Sequence, residues 1–139
     1  MTATQQKPRK KQKLSKVKER LWKLVSQYVR QGAADMHGNC TCVTCGLVRP
    51  WKEMQAGHFI ARAQGNATYF ELDNIHPQCF RCNINLGGNG PEYYPYMVER
   101  YGQDRVDELR RLSKTTRKFT VDELLELEAY YKALTKELE

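Results

Sequence analysis

Four cysteines fall into two C-x-x-C pairs, Cys42-Val43-Thr44-Cys45 and Cys79-Phe80-Arg81-Cys82, with 33 residues between them. Two tight turns that each present two thiolates suit a tetrahedral Zn²⁺, whose sulfur ligands sit at about 2.3 Å. The spacing predicts a structural zinc site of Cys42, Cys45, Cys79 and Cys82, contributing on the order of 10 kcal/mol to folding. Cys40 is an alternative to Cys42, but the x-x spacing favours Cys42 and leaves Cys40 as a buried or idle thiol. No thioredoxin-like βαβ pattern surrounds either pair, which argues against a redox role. Taken alone, the four cysteines favour a structural ribbon that binds and does not catalyse.

The residues between and after the pairs change that balance. Gly57-His58-Phe59 lies inside the zinc-closed loop, Asp73-Asn74-Ile75-His76-Pro77-Gln78 runs into the second pair, and Asn83 follows Cys82 at once. The order His58, Asn74, Asn83 is that of an HNH site, with His on a first strand, Asn in the intervening loop, and His or Asn on the following helix. Phosphodiester hydrolysis needs an activated water and a cation to stabilise charge on the phosphoryl and leaving oxygens. His58, with an ordinary pKa of about 6.5, suits the general base. Asn83 offers an amide oxygen to Mg²⁺ or Mn²⁺, and Asn74 suits a brace that orients His58 from behind. Two neutral ligands hold Mg²⁺ weakly, so a carboxylate is expected to join them: Glu92 first, then Glu71 or Asp73. His76 is expected to pack near the zinc site, with a ligand or phosphate-contact role as the alternative.

These residues need elements to place them. Leu14, Val17, Leu21, Leu24 and Tyr28 recur at steps of three and four, predicting a helix over 14–31 with Lys16, Lys23 and Arg30 turned elsewhere. Short strands are expected around Gln55–Ala61 and Tyr69–Leu72, separated by a turn at Gln64-Gly65-Asn66. A short helix is expected from near Pro95 to Gly102, another through Val106, Leu109 and Leu112, and a last one behind a Thr120/Glu123 capping box. The two terminal stripes can pack on each other or on a second copy, ordinary core being the simpler reading. The expectation is an α+β chain: a mobile basic arm over 1–13, then one domain over 14–139, with a small zinc-bound ββα-metal (HNH) core over 40–92 flanked by the helix at 14–31 and C-terminal helices over 93–139.

The 139 residues are 40% hydrophobic and 28% charged, and carry a net charge of +7. Eight Lys or Arg against Glu19 alone fall in residues 1 to 20, while the remainder has 15 basic and 15 acidic residues. A polyanion would meet the arm (Lys10, Lys11, Lys13) and local patches that include Arg62 and Arg81, with Arg100, Arg110, Arg111, Lys114, Arg117 and Lys118 as further candidates. No apolar run reaches membrane-spanning length and no secretory leader is evident, so a cytoplasmic protein acting on DNA is expected, with no membrane partner.

From Cys42 to about Gly102 the sequence resembles the NinG (Rap) recombination nucleases of lambdoid phages, on C-x-x-C, W-x(4)-A-G-H-F, Asn74-x-His76, C-x-x-C-N and G-N-x-x-E-Y. Trp51, Ala56, Gly57, His58, Phe59, Asn74, His76, Gln78, Asn83, Gly88, Asn89, Glu92 and Tyr93 carry it. The resemblance implies a metal-dependent endonuclease that cuts branched recombination intermediates such as Holliday junctions and D-loops, on a zinc-bearing core similar to that of phage T4 endonuclease VII. Gly57 departs from that enzyme, which carries a carboxylate there. A two-fold symmetric junction suggests a homodimer, and recombination proteins are candidate partners. The rival readings are a general HNH nickase of duplex DNA and a non-catalytic zinc module that recruits DNA.

Overall fold

The first apolar stripe becomes α1, Leu14–Gly32, in the computed structural model, which describes residues 12–64 and 66–138. Lys10, Lys11 and most of the expected arm lie outside the described residues, as does Gly65. The buried face of α1 is Val17, Leu21 and Val25, an i, i+4, i+8 row. It is turned slightly from the expected stripe: Leu14 is exposed, while Leu24 and Tyr28 pack only at the margin of the core. The turn follows from α1 being covered on two sides, by the last helix and by a small sheet. Arg30 is correspondingly not turned to solvent, and its guanidinium donates to the Trp51 carbonyl at 3.3 Å.

That last helix is α4, Val121–Glu137, and its capping box is complete. The Thr120 hydroxyl accepts from the Glu123 amide at 3.1 Å, and the Glu123 carboxylate accepts from the Thr120 amide at 3.2 Å. Leu124 and Tyr131 of α4 meet Val17, Leu21 and Val25 of α1 in one core cluster with Ala56 and Ile75. The two terminal stripes therefore pack on each other. Glu128 is buried in this interface and accepts from the Arg20 guanidinium at 2.9 Å, so its charge is paired.

Between these helices lie two antiparallel two-stranded sheets. β1 (Asn39–Thr41) pairs with β2 (Val48–Pro50), and β3 (Gln55–His58) with β4 (Ile75–Gln78), setting Gly57 opposite His76 and His58 opposite Ile75. The second strand is not at Tyr69–Leu72, as expected, but at Ile75–Gln78, directly before Cys79. Its polar, proline-bearing sequence gives little strand signal. Its four residues are nonetheless all buried, and Pro77 is tolerated in so small a sheet. The segment from Phe59 to Asn74 instead folds as three short 3₁₀ turns.

After Cys79 the chain makes a wide π-type turn, Arg81–Asn85, and then enters α2, Gly90–Tyr101. This helix starts five residues ahead of Pro95. Pro91 occupies its first turn, where an amide has no helical partner to lose. Gly102, at φ +87°, ends α2 as expected and leads into α3, Gln103–Ser113. Tyr93 and Met97 of α2, Val106 and Leu109 of α3, and Ile60 form a second core beside β3. No helix among the described residues is long and apolar enough to cross a membrane. The architecture is α+β.

Candidate active site and zinc centre

The β1–β2 hairpin carries the first cysteine pair and the end of β4 carries the second. Gly46, at φ +82°, donates to the Cys42 carbonyl at 2.9 Å, and the Cys42 amide donates to Leu47 at 2.8 Å, closing the first turn. The ligand atoms of Cys42, Cys45, Cys79 and Cys82 all lie within 4.8 Å of one another. Cys45 and Cys79 sulfurs are 3.6 Å apart, close to the edge of a tetrahedron with about 2.3 Å Zn–S bonds. Against its burial, hydrogen bonds from Thr44 and from nearby amides hold the Cys42 thiol below its ordinary pKa, whereas burial pushes the Cys45 and Cys79 thiols up. The four residues fit zinc. Cys40 is fully buried beside them and outside the cluster, an apolar neighbour rather than a ligand.

β3 delivers His58 to a cleft of about 580 Å³ that Trp22, Arg30, Gln55, Arg62, Tyr69 and Asn83 help to line. The imidazole belongs to a three-ring cluster: Trp22 of α1 and Tyr69 each stack on it with ring centres 4.7 Å away, and the two lie 5.2 Å from each other. Its Nε2 lies 2.9 Å from the Tyr69 carbonyl, which can only accept, so Nε2 carries the proton and Nδ1 keeps its lone pair. Burial pushes the His58 pKa below its ordinary value, against the Tyr69 carbonyl, which favours the charged form. A neutral imidazole with a free acceptor nitrogen is thus held beside Asn83, in a cleft lined by two arginines and, among the described residues, no carboxylate.

A family model described as bacteriophage lambda NinG protein matches residues 2–139. The chain belongs to the NinG family. It is 30% identical over 114 residues to protein NinG of Escherichia phage 933W, covering 82% of this chain and 54% of that one. It is 29% identical over 114 residues to protein NinG of Escherichia phage lambda, covering 82% and 53%. The chain thus spans about half the length of these curated relatives. No solved structure matches it.

In this NinG-family chain Asn74 is fully buried and uses its whole amide. The Ile60 amide donates to its Oδ1 at 2.8 Å, and its Nδ2 donates to the Ile60 and Thr68 carbonyls, both at 3.1 Å. With the Asn74 carbonyl accepting from Phe59 at 2.8 Å, this pins the loop that leaves His58 and returns with Tyr69. Asn74 sits behind His58 and not in the cleft. Glu92 is exposed in the first turn of α2 and is not among the cleft-lining residues. Glu71 and Asp73 both pair with Arg105, Asp73 at 2.9 Å. Arg62 reaches the cleft and lies 5.5 Å over the Tyr69 ring, Arg81 is exposed on the wide turn, and Lys13 precedes α1.

His76 faces a tyrosine cage, away from the zinc ligands. Tyr93 gives its hydroxyl proton to the Gly57 carbonyl at 2.7 Å, so it accepts from His76 Nδ1–H at 3.0 Å, and Tyr101 then donates to His76 Nε2 at 2.6 Å. Burial, with Arg100 nearby, pushes the His76 pKa down to about 4, so this relay runs through a neutral ring and fastens β3 from its far side. Trp22 and Tyr69 escaped functional assignment from sequence. The aromatic Trp22, set off the apolar row of an amphipathic helix, was the available signal.

Proposed function

We propose that the chain is a metal-dependent DNA endonuclease of HNH type that cuts branched recombination intermediates such as Holliday junctions and D-loops in the host cytoplasm. The observation that carries this reading is the state of His58: desolvated, neutral, packed against the rings of Trp22 and Tyr69, its Nε2 tied to a backbone carbonyl and its Nδ1 free to take a proton from water. A core histidine has no need of a free acceptor nitrogen in an arginine-lined cleft.

The chemistry follows from the chain's own groups. His58 Nδ1 accepts the proton of an attacking water. Arg62 and Arg30 bring positive charge to the cleft where a phosphodiester would lie. Asn83 is the cleft residue that offers a hard amide oxygen to Mg²⁺ or Mn²⁺, and its amide is oriented by donation to Gln55 Oε1 at 2.7 Å. A bound divalent ion would supply charge neutralisation at the phosphoryl and leaving oxygens. The zinc centre holds the turn carrying Asn83 against the first hairpin, and Asn74 positions the His58 loop. A homodimer acting with recombination partners suits a two-fold symmetric substrate.

The test is cleavage of a labelled four-way junction and its matching linear duplex in Mg²⁺ or Mn²⁺, by the native chain and by His58→Ala. The expected result is selective junction cutting, reduced about a hundredfold or more in the variant while binding persists. Binding with no cleavage in either metal would leave a zinc recruitment module, and equal cutting of both substrates a general nickase.

A further inference from the structure

Trp22, Arg62 and Tyr69 line a second cavity besides the His58 cleft, of about 360 Å³, whose apolar wall is completed by Leu14, Phe70 and Phe119. Four aromatic rings from three separate stretches of chain are thus left half-buried round one hollow. Their packing keeps it open. Tyr69 meets Phe70 edge-on at 4.7 Å, and Phe70 meets Phe119 edge-on at 5.6 Å. Asn66 Nδ2 donates to the Arg117 carbonyl at 2.8 Å, which ties the loop carrying Tyr69 to the segment carrying Phe119. A cluster of ring faces left to water marks a place where a ligand covers them.

The charge at the rim narrows the ligand. Lys18 and Arg62 both line the cavity, and neither is paired with a carboxylate among the described residues. Its one acid, Glu19, lies 4.0 Å from both Lys16 and Lys23. Flat apolar faces beside unpaired cations suit a flat ring that carries phosphate on either side, which is a nucleobase standing out of its duplex. The chain's own residues 1–11 contain no aromatic or branched aliphatic side chain that would fill the hollow. Because cavity and cleft share Trp22, Arg62 and Tyr69, a nucleotide with its phosphodiester in the cleft reaches the cavity with its own base.

We propose that this cavity holds one unpaired nucleobase of DNA, next to the phosphodiester presented to His58. The proposal deepens the nuclease reading and rests on it for the place of that phosphodiester. In an intact duplex every base is stacked and paired, and drawing one out is costly, least so where pairing is already broken. A branch point or a bulge supplies such a base directly. The cavity therefore favours branched over linear DNA without reading sequence, since every base has a flat face to stack.

The test uses the zinc-loaded full chain without Mg²⁺ or Mn²⁺, and compares by fluorescence anisotropy its binding to a duplex with one unpaired thymine, the same duplex with an abasic site at that position, and the fully paired duplex. The thymine is expected to be preferred over the abasic site by about tenfold or more. Phe119→Ala, which lies off the His58 cleft, should erase that preference and leave binding to the paired duplex unchanged. Should the variant lose zinc or unfold, the native chain decides: iododeoxyuridine at the unpaired position must crosslink on irradiation to Trp22, Tyr69, Phe70 or Phe119. Equal affinity for thymine and abasic site, a preference retained in zinc-loaded Phe119→Ala, or crosslinks confined to other residues overturns the proposal. A preference that emerges only when residues 2–11 are removed assigns the cavity to the chain's own arm and also overturns it. The expected preference without cleavage of any DNA in Mg²⁺ or Mn²⁺ sinks the nuclease reading and leaves the base site. Junction cleavage indifferent to abasic sites at the branch does the reverse.

Discussion

Replacing Asn74 by aspartate changes almost no volume and reverses the polarity of two hydrogen bonds. The Ile60 amide keeps its acceptor, but the carbonyls of Ile60 and Thr68, each receiving an N–H at 3.1 Å, would face a second oxygen. The site is fully buried, so an ionised carboxylate there is excluded in favour of the neutral acid. Holding a carboxyl of ordinary pKa about 3.9 neutral at pH 7 costs about 1.4 kcal/mol per unit, or about 4 kcal/mol. Its single O–H serves one carbonyl and leaves the other without a donor, adding about 1–2 kcal/mol. Asn74→Asp should therefore destabilise the zinc-loaded chain by about 5–6 kcal/mol at pH 7. The carboxyl's pKa is raised in the folded state, so its penalty shrinks as pH falls toward the unfolded value. About 2.7 kcal/mol should be regained relative to wild type between pH 7 and pH 5. Urea unfolding of both proteins at several pH values, with zinc content measured in parallel, reads this directly. A penalty under about 1 kcal/mol, or one indifferent to acid, would refute the claim that this amide holds the loop behind His58.

Chelation of zinc, or Cys79→Ser, should remove on the order of 10 kcal/mol and abolish cooperative unfolding; an apo chain that melts within a few degrees of the zinc-loaded one would refute it. Glu128 is held below its ordinary pKa by its bond to Arg20, opposed by burial, so its contribution is present above about 4.5 and lost as pH falls through the folded value. Glu128→Gln should accordingly be less stable than wild type near neutrality, with the gap closing in acid; a constant gap in urea titrations would exclude the ion pair as its source. If cleavage is found, burial of His58 requires the acid limb of kcat/KM to lie below pH 6.5, and a limb above 7 would remove His58 as the general base.

The cysteine cluster was legible because four identical side chains at fixed spacing leave little alternative, and the place of Asn83 next to it because it abuts the second pair. Asn74 was legible as a brace, since an amide can satisfy a donor and two acceptors at once. β4 was not: Ile75-His76-Pro77-Gln78 owes its burial to α1 and to the tyrosines of α2, which no local pattern encodes. Glu92 was favoured for its charge and its nearness in sequence to Asn83, whereas the cleft is lined from α1, β3 and the wide turn. The ring cluster at His58 was equally hidden, because its other members come from positions 22 and 69.

The stacking of Trp22 on His58 means that the stretch carrying the recognisable motif is not a portable cassette. Residues 40–92 excised on their own would keep all four clustered cysteines along with His58 and Asn83, yet lose the indole that packs on the imidazole. The hydrophobic seam between α1 and α4 is then what sets that indole in place, so a residue such as Leu124, outside the cleft, helps determine how dry the imidazole is. Grafting this site onto another scaffold would have to bring a helix across the imidazole as well as the loop and its knuckles.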